Sequence, residues 1–195
     1  MSHAPNSAVI FEQAFDPDRA HVEALQHRAY AWNAAQLGVT PLPLQWDYRT
    51  IFAECEVWIV RGAADIANSS DAVRDAGRDA GSTDGDPIDA QPGDARPGDT
   101  QPGPMIAALI LRAGPDALII ESISVDPNHQ QGGLGGELLA FAEKRACTLG
   151  LDALTLYTGR PLMRLIAWYQ KVGFELTDTE TLNDRQIVHM RKALT

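Results

Sequence analysis

Apolar residues recur along this chain with two periods, and the change from one to the other marks out its elements. Val9 to Phe15 reads as a first strand, followed by Asp16 as a helix cap and Pro17 in a first helical turn. Val22, Leu25, Ala29 and Trp32 then fall on one face of a helix, and after the turn-forming stretch Gly38 to Pro43 a second short helix is expected over Asp47 to Ala53. Val57 to Val60 reads as a strand. Further on, Ile106 to Leu111 and Leu118 to Val125 are apolar runs joined by Ala113-Gly114-Pro115-Asp116, a hairpin signal. Leu134, Leu138, Phe141, Ala142 and Leu149 return to helical spacing and end at Gly150, a C-terminal cap. Ala153 to Tyr157 is the next strand, a helix runs from about Leu162 to Gly173, and Phe174 to Thr177 and Gln186 to Met190 pair as final strands around Asn183-Asp184. The order of elements predicts an α+β fold with a mixed, mainly antiparallel central sheet flanked by helices.

Residues 63 to 104 break this pattern. They carry no aromatic residue and no hydrophobic period, and they end in the five-residue echo QPGDA, RPGDT, QPGP. Such a composition buries too little apolar surface to offset the entropy of ordering, so a disordered Asp/Gly/Pro-rich insertion within a single domain is expected. The insertion holds nine Asp against three Arg, which is −6 of the total charge of −10. The remainder is mildly acidic, which argues against a nucleic-acid partner and is compatible with a cationic acceptor. With 45% hydrophobic residues the chain can build a core, and no apolar run approaches a membrane span. The polar start MSHAPNS lacks the layout of a signal peptide, so a cytoplasmic protein, monomer or homodimer, is expected. Cys55 and Cys147 have no metal-ligand spacing and form no disulfide framework, so no metal is expected.

The stretch Val125 to Gly136 lies between a strand and a helix and is rich in glycine. A helix start presents unpaired N–H groups and partial positive charge, and glycines let a ligand approach them, so an anion site is physically reasonable there. Gly-Lys-Ser/Thr is absent, which excludes a P-loop, and Leu138 stands where a dinucleotide fingerprint needs its third glycine. Gln130, Gly133 and Gly135 after Val125-x-Pro127 match the Gln/Arg-x-x-Gly-x-Gly/Ala signature, and Tyr169-x-x-x-Gly173-Phe174 matches a second element at the right distance. In these residues the chain resembles the GCN5-related N-acetyltransferase (GNAT) family, over about residues 105 to 192 by motif and 9 to 61 by pattern. Two departures stand out: Gln131 occupies a position where glycine is frequent, and Leu162 or Leu165 stands where an asparagine often precedes the tyrosine. The second bears on one hydrogen bond at the helix start or on the acceptor side.

The resemblance implies a GNAT-like acyl-CoA N-acyltransferase fold, acetyl-CoA as acyl donor, and a primary amine of a small molecule or peptide as acceptor, attacked directly in a ternary complex. The pantetheine arm would lie along the main chain of Ile123 and Val125. The pyrophosphate would sit on the amides of Gln131, Gly132, Gly133, Leu134, Gly135 and Gly136, with Gln130 steadying the turn. An alkylamine with pKa near about 10.4 is mostly charged at neutral pH, so a base or a relaying water is required. Glu121, two and four residues before Ile123 and Val125 and hence expected on their face of the strand, is the candidate base. A strand-end charge or salt bridge is its other reading. Tyr169 is placed by the resemblance near the thioester sulfur as general acid; as plain core it would only anchor. His129 and His189 remain unassigned. A noncatalytic acyl-CoA-binding regulatory module is the alternative to an enzyme, and transfer of a longer acyl group is also open.

Overall fold

The computed structural model describes residues 9–62, 102–182 and 184–194. The expected insertion falls almost wholly outside them. Seven strands, β1 (Glu12–Gln13), β2 (Glu56–Arg61), β3 (Met105–Ala113), β4 (Leu118–Val125), β5 (Ala153–Gly159), β6 (Glu175–Leu182) and β7 (Arg185–Ala193), form one sheet in the order β1-β2-β3-β4-β5-β7-β6. Four α-helices flank it: α1 (Arg19–Leu37), α2 (Tyr48–Glu54), α3 (Leu134–Thr148) and α4 (Met163–Lys171). Every neighbouring pair is antiparallel except β4 and β5, which run parallel. The mixed, mainly antiparallel sheet expected from the hydrophobic pattern is therefore present.

Alternation along β3 explains why both faces are covered. Ala107, Leu109 and Leu111 pack with Leu138, Leu139 and Ala142 of α3, with Leu154 and Leu156 of β5, and with Tyr169 and Phe174. Ala108 and Ile110, on the other face, pack with Val22 and Leu25 of α1 and Tyr48 of α2. A strand covered on both sides has no polar face, which accounts for the unbroken apolar run from Met105 to Leu111. Across β2, Glu56 accepts two hydrogen bonds from Arg145 of α3, at 2.6 and 2.7 Å, and one from the Trp58 indole at 3.0 Å.

Several boundaries differ from expectation, among them the last strand, which runs Arg185–Ala193 rather than Gln186–Met190. The first strand shrinks from Val9–Phe15 to Glu12–Gln13. Asp16 is not a cap: Phe15 holds that position before a 3₁₀ turn at Asp16–Asp18, and the Asp18 carboxylate takes the Phe15 N–H at 3.1 Å while Asp16 pairs with Arg19 at 2.9 Å. The strand expected to stop at Thr177 continues to Leu182 as an edge strand whose residues are almost all exposed, so no hydrophobic alternation records its length.

The feature that positions the site is the parting of β4 from β5. They pair only from Leu118–Leu154 to Ile120–Leu156, although β4 runs on to Val125 and β5 to Gly159. Just there β4 bulges: Leu111 faces Ile120 and Ile110 faces Ser122, leaving Glu121 without a partner on β3. A bulge bends and twists its strand, and a cleft of about 1090 Å³ opens between the separated ends.

Candidate active site

The cleft is lined along one wall by the main chain of β4 from Ile120 to Val125 and at its mouth by the start of α3. The Asp126 amide donates to the Ile106 carbonyl at 2.8 Å. In an antiparallel ladder main-chain groups alternate in direction, so Ser122, Ser124 and Asp126 address β3 while Ile123 and Val125 turn their N–H and C=O groups toward the open edge. Gln130 Nε2 donates to the Val125 carbonyl at 3.1 Å, which ties the turn back onto that strand end.

At the mouth, Asp126 organises the approach to α3. Its carboxylate takes the Asn128 amide at 3.1 Å and Arg28 Nε from α1 at 2.9 Å. Burial alone would raise this carboxyl, but the hydrogen bonds from Arg28 and from the Asn128 amide outweigh it and hold the group below the ordinary carboxylate value. Gly133 caps α3 with φ of +87°, and Gln131 takes φ of +67°. The position where the family resemblance expects a glycine thus has a left-handed backbone, and Gln131 adopts it at a cost of about 1 kcal/mol. Among the described residues no amide from Gln131 to Gly135 donates to a main-chain carbonyl. The Gly136 amide does, to Gly133 at 2.9 Å, so the expected set of anion donors shrinks by that one. Gly135 faces the Trp168 ring, which a Cβ would meet at 3.5 Å, so Trp168 floors this end of the cleft.

Glu121 does not share a face with Ile123 and Val125. The bulge inserts it as an extra residue, so Ile123 and Val125 pack toward the α3 core while Glu121 meets Arg112 and Tyr157. Its Oε1 accepts from Arg112 Nε at 2.6 Å and its Oε2 from the Tyr157 hydroxyl at 3.1 Å, and the side chain is 9% exposed within the cleft wall. Both earlier readings of Glu121 meet here: it forms a salt bridge, and it faces the cleft. Burial, then the charge of Glu121, pushes the Tyr157 phenol far above its ordinary value, and the hydrogen bond to Glu121 raises Arg112.

Tyr169 projects from α4 between both roles foreseen for it. Its ring packs edge-on to Phe174 at 5.6 Å and beside Trp168 at 4.9 Å, and it also lines the cleft. Its hydroxyl makes no hydrogen bond among the described residues, and burial raises its pKa strongly, so the phenol stays protonated at neutral pH. Leu162, 6% exposed, occupies the N-cap of α4 and supplies no side-chain cap. His129 lies at the cleft mouth, whereas His189 pairs with Glu180 at 3.2 Å on the sheet's outer edge.

Four side chains at this site lie outside the sequence expectations: Tyr157, Arg112, Ser122 and Tyr30. Tyr157 was detectable, since it alternates with buried Leu154 and Leu156 and so had to face the opposite side of β5. Ser122 and Tyr30 were not, because their hydrogen bond at 3.0 Å spans α1 and β4. Among the described residues no group of three or more His, Cys, Asp or Glu side chains is placed to hold a metal ion, and no helix is long and apolar enough to cross a membrane.

Similarity to solved structures places this architecture among the acyl-CoA N-acyltransferase folds. Residues 99–174 match the family described as Acetyltransferase (GNAT) family. Over 76 residues the chain is 37% identical to an amino-acid acetyltransferase of Azotobacter vinelandii, a match covering 39% of this chain and 17% of that protein's length. The ribosomal-protein-S18-alanine N-acetyltransferase of Escherichia coli superposes with a TM-score of 0.62 at 16% identity, over 96% of this chain and 95% of that one. The PaiA N-acetyltransferase of Thermoplasma acidophilum, solved in complex with coenzyme A, gives 0.60 at 14% identity, over 96% and 99% of the two chains. Over residues 99–174 the chain thus matches the GNAT acetyltransferase family, and its fold is the one shared by these solved acetyltransferases.

Proposed function

We propose that this protein is an acetyl-CoA-dependent N-acetyltransferase that acylates a primary amine by direct attack in a ternary complex. One observation carries the reading: an unpaired strand edge at Ile123 and Val125 leads straight to the unbonded amides of Gln131 to Gly135. The edge suits the amide groups of a pantetheine arm, and the helix start suits a pyrophosphate. Acetyl-CoA supplies the thioester, whose carbonyl carbon bonds to the amine nitrogen as the C–S bond breaks. The amine must lose its protons and the departing thiolate must gain one.

Glu121 is the base in this reading, acting through water, because it lies in the cleft wall with its carboxylate held in place by Arg112 and Tyr157, one on each oxygen. Tyr169 is the acid, a protonated phenol with no other hydrogen-bond partner among the described residues. The turn is tested by Gly133→Glu, which places charge and bulk at a left-handed residue beside the amides. Calorimetry on the folded variant is expected to show acetyl-CoA binding abolished; unchanged affinity would refute the assignment. Acceptor-dependent release of CoA thiol distinguishes an enzyme from a module that only binds the donor.

A further inference from the structure

Charge in the cleft runs against that of the whole molecule. The chain carries a net −10, yet among the described residues Arg160 and Arg164, with Arg49, are the arginines that enter no ion pair. Arg160 and Arg164 are exposed, and both line the cleft. The other charged or titratable side chains of the lining are Glu121, His129, Asp184 and Arg185. Glu121 is engaged by Arg112 at 2.6 Å and Asp184 by Arg185 at 2.9 Å, while Arg185 also gives Nη1 to the Thr40 carbonyl at 2.8 Å. His129, at the mouth, faces Asp126 at 3.9 Å. Among the described residues the cleft therefore holds two guanidinium groups without a carboxylate partner, in a protein whose overall field repels anions.

The two arginines stand at different ends. Arg164 precedes Trp168 by one helical turn on the same face of α4, and Trp168 meets Gly135 at the start of α3. Arg164 therefore belongs to the donor's end, beside the amides proposed for the pyrophosphate. Arg160 lies across the cleft: it follows directly on the end of β5 at Gly159, whereas the donor edge is on β4. Its amide donates to the Gln186 carbonyl of β7 at 2.9 Å, and Leu37 of α1 lies against the neighbouring Gly159. Three elements thus fix the place of Arg160 and leave its guanidinium unpaired among the described residues. Tyr157, whose hydroxyl holds Glu121, is three residues earlier, about 10 Å along the strand, so one small molecule can meet both.

We infer that Arg160 anchors a carboxylate carried by the acceptor, and that the acceptor is a free amino acid whose amine reaches the thioester past Glu121. A planar guanidinium meets a carboxylate with two parallel N–H···O bonds, which fixes the orientation of the molecule as well as holding it. Arg164 serves the donor's end and Arg185 is already paired, so among the described residues of the lining Arg160 is the arginine left for this anion. Amines without a carboxylate, polyamines included, are poor acceptors. The inference rests on the N-acetyltransferase reading and adds Arg160 as a specificity-determining residue.

The test sets each common amino acid against the amine left when its carboxylate is removed, for example L-leucine against isopentylamine and L-phenylalanine against 2-phenylethylamine. Release of CoA thiol from acetyl-CoA is measured with the full-length protein and with Arg160→Ala. At least one amino acid is expected to have a kcat/KM about 10-fold or more above that of its amine counterpart. For that amino acid Arg160→Ala should raise KM about 10-fold, as loss of a hydrogen-bonded charge partner requires, with the KM values for the amine counterpart and for acetyl-CoA in place. Acetyl-CoA calorimetry and thermal unfolding report that the donor site and fold of the variant are intact. Amines used as well as amino acids, or an amino-acid KM unmoved by Arg160→Ala, would overturn the assignment. So would a raised acetyl-CoA KM alone, which would make Arg160 a contact of the donor's phosphates. Acetylation of no amino acid by a protein that binds acetyl-CoA would overturn it too, whereas failure to bind acetyl-CoA would remove the transferase reading as well.

Discussion

Three phenols around one cleft illustrate how identical side chains acquire opposite roles from their neighbours. Tyr157 donates a hydrogen bond to Glu121 and Tyr30 shares one with Ser122, whereas the Tyr169 hydroxyl has no hydrogen-bond partner among the described residues. If Tyr169 protonates the leaving thiolate, Tyr169→Phe keeps the ring packing against Phe174 and removes only the proton. Turnover under conditions where chemistry limits the rate is then expected to fall about 100-fold with acetyl-CoA affinity unmoved. Unchanged turnover would leave Tyr169 as core alone. Glu121→Gln removes the negative charge that Arg112 and Tyr157 address. Its expected effect is loss of the acidic limb of the pH–rate profile, because that limb reports protonation of the base; persistence of the limb would assign it to another group.

At the scale of elements, an ion pair ties β2 to α3. Arg145 holds both oxygens of Glu56, at 2.6 and 2.7 Å, in the bidentate arrangement that makes such pairs stronger than a single contact. The hydrogen bond from Arg145, ahead of a burial effect that opposes it, lowers the Glu56 pKa from its ordinary 4.5. A depressed carboxylate pKa contributes stability that is fully present above the unfolded value and disappears as pH falls through the folded one. Arg145→Ala is therefore expected to lower stability by about 1 kcal/mol at neutral pH, with the difference from wild type shrinking as pH falls through the lowered Glu56 value. Denaturant melts at pH 7 and pH 3.5 check this. At a second joint, a Cβ added at Gly159 would meet the Leu37 side chain at the end of α1, which would have to shift to make room.

For the molecule as a whole, β2 and β3 pair directly from Glu56–Leu111 to Arg61–Met105, so the stretch between them joins two neighbouring antiparallel strands. Replacing residues 66–102 by a short Gly/Ser bridge removes none of those pairs, and lengthening or shortening such a loop changes the closure entropy only logarithmically. Cooperative unfolding and acetyl-CoA binding are expected to survive; losing either would show that the segment contributes to the folded unit. The order of elements was legible in the sequence because each buried face imposes its own period, as in the double-sided run of β3 and the i, i+4 pattern of Leu134, Leu138 and Ala142. The proposed donor site was legible too, since its glycines, cap and strand end are neighbours along the chain and its chemistry is mainly that of the backbone. The acceptor side was not. Whether Glu121 follows Ile123 or faces Tyr157 is decided by one unpaired residue, and a bulge leaves no mark on hydrophobic alternation. Tyr30, Ser122, Tyr157 and Arg112 converge there from α1, β4, β5 and β3, across separations as large as 92 residues. Local sequence determines the elements and the backbone site between two of them, while contacts between elements decide which polar side chains share the cleft and which of them gives a proton.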